Sequence, residues 1–164
     1  MSGRQKEAVA RYEQAMRVRP DDYQVPLLVA QSYDDFGRHE DARRARLLGI
    51  ELAESHLEFH PDDTRAMYMA ANGMVALGLS DPSLTTRGLA LAARARSLRS
   101  DDGMLLYNLA CIYSLAGSVP DALDCLERAA SLGVAPLEWI RHDSNLNALH
   151  NEPRYLALTE ETTP

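Results

Sequence analysis

Tyr107-Asn108-Leu109-Ala110-Cys111-Ile112-Tyr113-Ser114-Leu115-Ala116-Gly117, followed shortly by Ala122-Leu123-Asp124-Cys125-Leu126-Glu127-Arg128-Ala129, is the most informative part of this chain. It reads as a helical hairpin. The small Ala110 lets a second helix approach closely, and Tyr113 fills the next turn. Gly117 can end the first helix with a left-handed cap, and Ala122 opens the returning helix.

Nearer the N-terminus the same spacing occurs as Ala30, Tyr33, Gly37 and Ala42, and more faintly as Ala71, Met74 and Gly78. The glycines stand 41 and 39 residues apart (Gly78 less Gly37, Gly117 less Gly78). A second signal has the same period: Arg19-Pro20-Asp21-Asp22, His60-Pro61-Asp62-Asp63 and Arg99-Ser100-Asp101-Asp102, again at 41 and 39 residues (His60 less Arg19, Arg99 less His60). These tetrads have helix-boundary chemistry, because proline ends one helix while aspartate caps the next and favours its positive end. Two independent markers with one period define an internal repeat.

First helices are therefore expected near Tyr23 to Phe36, Thr64 to Leu77 and Asp102 to Ala116, and returning helices near Glu40 to Phe59, Ser83 to Leu98 and Pro120 to Leu132. The chain divides as one domain over 1–164: an initial helix at 5–20, repeats at 21–61, 62–100 and 101–133, and a closing segment at 134–164. The initial segment has a returning helix's spacing in Ala8, Tyr12, Ala15 and Pro20. It is either the second half of a hairpin whose first helix lies upstream, or a cap. In the closing segment, Trp139, Ile140, Leu146, Leu149 and Tyr155 are the residues that can cover the last hairpin's apolar face.

Over about residues 5 to 133 the small-aromatic-glycine-alanine spacing and the boundary proline resemble the tetratricopeptide repeat family. The match is strongest in the third unit and weakest in the second. The resemblance implies an all-α fold, a right-handed solenoid of antiparallel helix pairs. The units here exceed the family's 34-residue repeat. In the first unit the surplus lengthens the returning helix through Leu47, Leu48, Leu52, Leu57 and Phe59. In the second it lengthens the connection from Leu79 to Thr86. HEAT-like repeats, with longer periods, are the alternative architecture. The run from Pro136 to Tyr155 is similar to segments that follow such repeats at the C-termini of bacterial adenylate or guanylate cyclases, serine/threonine kinases and transcription regulators. That similarity implies an accessory regulatory module of a larger signalling protein.

Composition narrows the function. With 164 residues, 46 % of them hydrophobic and 25 % charged, the chain suits helices that bury one face. A domain of this size buries roughly two-thirds of its unfolded surface. The formal charge of -7 argues against nucleic acid as a partner, since phosphate binding needs a basic stripe. Arg44 with Arg46, and Arg94, Arg96 and Arg99, have acidic neighbours and read as solvated helix faces. No apolar run has the length of a membrane span or the layout of a signal peptide, and Cys111 and Cys125 form no CxxC pair, so a cytoplasmic protein is expected.

No catalytic site, metal site or cofactor is indicated. His56 and His60 share a helical face, but they lack the HExxH pattern and a third ligand; the ordinary reading has His60 at a helix end and His56 exposed. Cys111 with His142 or His150 has no orienting group, and His142-Asp143 are adjacent residues that seldom face each other. Asp143 or Ser144 reads instead as a cap for a helical turn beginning near Asn145.

The remaining class is binding. First helices of stacked hairpins line a concave surface that suits a protein or peptide partner. Counting by three and four, the peptide-binding groove is expected to hold Gln24, Leu27 and Gln31, then Arg65, Tyr68 and Asn72, then Met104, Tyr107 and Cys111. The first helices contain no lysine, so a lysine clamp for chaperone tails is not expected. The alternative function is homodimerisation through the long helix 42–59, whose apolar residues exceed what one hairpin should cover.

Overall fold

In a computed structural model, which describes residues 3–134 and 137–160, the chain is all-helical, with no strand among those residues. Pro136 and residues 161–164 of the expected closing segment lie outside the described residues, as does the side chain of Ala8. The helices are α1 (Gly3–Val18), α2 (Gln24–Asp35), α3 (His39–Phe59), α4 (Thr64–Leu77), α5 (Pro82–Leu98), α6 (Gly103–Leu115), α7 (Val119–Ser131), α8 (Leu137–His142) and α9 (Pro153–Glu160), with a 3-10 turn at Ser144–Leu149 between the last two. The expected helices from residue 5 to 132 agree with these to within two residues at either end.

The boundary tetrads explain the agreement. Asp22, Asp63 and Asp102 each donate a backbone N–H to the carbonyl of Arg19, His60 and Arg99, making one turn three times over. The same aspartates accept from the helix after the turn: Asp22 from Gln24 N at 3.0 Å, Asp63 from Arg65 N at 2.9 Å and Ala66 N at 3.1 Å, Asp102 from Leu105 N at 3.0 Å. Amides that a helix start leaves unbonded are thereby satisfied. In units one and three an arginine of the tetrad also pairs with that carboxylate, Arg19 to Asp22 at 3.0 Å and Arg99 to Asp102 at 3.5 Å.

At the other end of the first helices, Gly37 and Gly117 adopt φ of 70° and 75°, so the amides after them turn back to the carbonyls of Tyr33 and Tyr113, each at 2.8 Å. Gly78 differs from the expectation. Its φ is -62°, and a side chain there would strike the Thr85 hydroxyl, so this glycine is required by the close approach of α5. The expected long connection from Leu79 to Thr86 is not found, because α5 already begins at Pro82, with Asp81 accepting from Ser83 N at 3.0 Å.

Helices pack with their chain neighbours, and α2, α4 and α6 also lie side by side. Ala30, Ala42, Ala71, Ala110 and Ala122 are completely buried where helices approach. On the initial helix, Val9 is buried against Val29, Ala30 and Tyr33, and Glu13 accepts the Tyr33 hydroxyl at 2.9 Å. Along α3, Leu52 and Leu57 are half-buried against the second unit, while Leu47, Leu48 and Phe59 stay exposed. Ile140, Leu146, Leu149 and Tyr155 enter the same core as α6 and α7. Trp139 does not: it is 63 % exposed, because the helical turn that points Ile140 inward points its neighbour out.

Candidate functional site

A cavity of about 280 Å³ opens where the three first helices meet, and helical periodicity builds its walls. Leu27, Leu28 and Gln31 come from α2; Arg65, Tyr68, Met69, Asn72 and Gly73 from α4; Tyr107, Asn108, Cys111 and Ile112 from α6. Steps of three and four residues place each set on one side of its helix. The floor is apolar. Leu27 fits against Gly73, where an added Cβ would lie 3.0 Å from its Cδ2, so a larger residue at 73 would push Leu27 aside.

Seven of the nine residues expected from sequence line this cavity: Leu27, Gln31, Arg65, Tyr68, Asn72, Tyr107 and Cys111. Gln24 and Met104 do not. They sit a turn nearer the helix starts, where Gln24 is half-buried and Met104 is 54 % exposed to solvent. Arg65, at the equivalent position of the middle unit, lines the cavity while Gln24 and Met104 do not. Leu28, Met69, Asn108 and Ile112 come directly after expected positions, so a two-residue-wide stripe per turn would have found them. Asp143 reads from sequence as a cap for the turn at Asn145, but nothing in the sequence places either residue at the cavity, because that depends on where the closing segment docks.

Asp143 is the most connected polar group in the cavity wall. Its Oδ1 accepts from Asn145 N at 2.9 Å, capping the 3-10 turn, and its Oδ2 accepts from the Tyr107 hydroxyl at 2.6 Å and the Cys111 thiol at 3.6 Å. Burial pushes the Cys111 thiol well above its ordinary value, and the Asp143 charge and hydrogen bond push it further. The Tyr107 phenol is raised by burial and by its bond to Asp143. A thiol held protonated is a poor nucleophile, and through Asp143 the trio ties the closing segment to α6. Burial likewise raises the Cys125 thiol, to about 11.

Arg46 and the arginines of the basic clusters pair locally. Arg46 Nη1 lies 2.6 Å from Asp34 Oδ2, and although burial opposes ionisation of Asp34, hydrogen bonds from His39 and Arg46 hold its carboxyl below the usual range. Arg44 pairs with Asp41, Arg94 donates to the Pro61 carbonyl at 2.6 Å, and Arg96 lies 3.6 Å from Asp121. With Arg99 on Asp102, each arginine of the two basic clusters has an internal partner.

His56 corrects its reading as an exposed residue. It is half-buried, with its ring 5.1 Å from Tyr23 and 4.5 Å from His60, and its Nε2 lies 2.8 Å from Asp63 Oδ2. Burial opposes ionisation of Asp63, but the Ala66 amide, His56 and the Arg65 amide outweigh it and hold the carboxyl below its usual value. Among the described residues no group of three His, Cys, Asp or Glu side chains is placed to hold a metal ion. His142 Nδ1 lies 2.7 Å from the Glu138 carbonyl oxygen on its own helix. No described helix is long and apolar enough to cross a membrane.

Comparison with protein-family models, with curated proteins and with solved structures finds no match to this chain.

Proposed function

We propose that this chain is a tetratricopeptide-like module, a right-handed solenoid of lengthened helix pairs, that binds an extended segment of another protein in the cavity formed by its first helices. The observation that carries the reading is the contrast between floor and rim. An apolar floor of Leu27, Met69 and Gly73 is edged by Gln31, Arg65, Tyr68, Asn72 and Asn145, whose side chains make no hydrogen bond or ion pair with another described residue. Carboxamides offer a donor and an acceptor together, which suits a peptide backbone, and tyrosine stacks on apolar side chains. Such a module works without chemistry of its own, as an accessory part of a larger cytoplasmic bacterial signalling protein. Screening a peptide array with the purified chain tests this: Tyr68→Ala and Asn72→Ala should each abolish most of the binding. Binding indifferent to both would remove the cavity from consideration.

Assembly through the long helix is a second reading, favoured by Leu47 and Leu48, 40 % and 43 % exposed, and by Phe59, 80 % exposed on the same helix. Light scattering across a concentration series separates the two. A stable dimer abolished by Leu48→Glu would make α3 the working surface.

A further inference from the structure

The cavity's polar groups divide by helix. On α6 all are engaged inside the molecule: Tyr107 and Cys111 donate to Asp143, and the Asn108 amide donates to the Met104 carbonyl at 2.8 Å. On α2 and α4, Gln31, Arg65, Tyr68 and Asn72 make no such bond to another described residue. A ligand gains little by competing for a phenol that already donates to a carboxylate at 2.6 Å, because a charge-assisted bond must be broken to make a neutral one.

We propose that Asp143 sets the register of the bound segment: by occupying the Tyr107 and Cys111 donors it turns α6 into an end wall, and the ligand is read by α2, α4 and the neighbouring Asn145 but not by α6. This rests on the peptide-binding reading above. Asp143 is a positioning residue, held in place by the closing segment, whose Ile140, Leu146 and Leu149 are completely buried. Removing its carboxylate frees two donors and lengthens the site by one helix.

The test has two arms. In the first, the ligand-free chain is treated with a small thiol-reactive maleimide and labelling of each cysteine is followed by mass spectrometry. Asp143→Ala should speed labelling of Cys111 by about tenfold, because the thiol loses a bond that keeps it protonated, while the deeply buried Cys125 reports any general loosening. Asp143→Asn, which removes the charge but keeps one acceptor oxygen, should label at a rate between those of wild type and Asp143→Ala. Equal acceleration at both cysteines, or none at Cys111, overturns the latch.

The second arm uses dodecapeptides selected by phage display against the wild-type chain. Tyr107→Phe should leave their affinity within about twofold while Asn72→Ala lowers it about tenfold or more, since only the latter removes a bond made to the ligand. Equal losses show that α6 reads the ligand and overturn the register assignment with peptide binding intact. If selection yields no cavity-binding peptide, the peptide reading itself fails, and the register goes with it even if the latch is real.

Discussion

The α4 and α6 walls of the cavity occupy the same register of successive units, Tyr68 and Tyr107 being 39 residues apart (107 less 68), yet one hydroxyl makes no internal bond and the other is fixed to Asp143. Identical side chains at equivalent positions thus have different uses. On α4, flanked by a unit on each side, the tyrosine is half-buried at the cavity wall and its hydroxyl meets no partner among the described residues. On α6, the last first-helix of the array, it meets the segment that closes the array. Position along the stack decides which tyrosine hydroxyl has a partner inside the molecule and which does not.

The comparison breaks most completely if the closing segment is loosened. Leu146→Ala removes a completely buried side chain from the core shared with α6 and α7, and should cost about 2–5 kcal/mol in a denaturant titration. A cost under about 1 kcal/mol would mean that the segment is dispensable. A sharper cut is Asp143→Ala, expected to cost about 1–3 kcal/mol because the Tyr107 hydroxyl and the Asn145 amide lose their acceptor. Tyr107 should then ionise at lower pH in an ultraviolet titration. An unchanged tyrosine titration would mean that Asp143 does not govern it.

On the α4 side the corresponding weak point is Asp63. Its carboxyl is held below its unfolded value, so the folded state binds this proton less readily than the unfolded chain does. The resulting stabilisation is complete above the unfolded value of about 3.9 and disappears as pH falls through the folded one. Melting curves from about pH 6 down to about pH 2 should therefore fall more steeply for wild type than for Asp63→Asn, and parallel curves would refute the linkage. The smallest effects belong to Gln24→Ala and Met104→Ala, a turn outside the cavity, which should leave peptide affinity unchanged. A loss at either would show that the groove extends beyond the walls described.

The repeats were legible because their markers act locally. An aspartate finds the amides two or three residues on, and a glycine relaxes the turn in which it sits, so Asp63, Asp102, Gly37 and Gly117 fulfil their readings without reference to the rest of the chain. The stripe Leu27, Gln31, Tyr68, Asn72, Tyr107 and Cys111 was legible for a related reason: once helix limits are known, facing comes from periodicity. The closing segment's apolar cover of the last hairpin was also legible, through Ile140, Leu146, Leu149 and Tyr155, but the individual pairings between segments escaped. His56 is drawn inward by Tyr23 and Asp63, Gly78 is set by Thr85, and Asp143 is held at helix α6 by a segment that four apolar neighbours dock.

The outward-facing Trp139 gives the molecule a built-in optical marker. It is the single tryptophan of the chain and stands four residues before Asp143, on the segment that ends the cavity. Indole emission depends on contact with water, so a partner that covers or shifts this segment would change the emission of one fluorophore at a known place. Collisional quenching by iodide would report how open that face is. The events at the cavity wall can therefore be followed in the unlabelled protein, in real time and at high dilution.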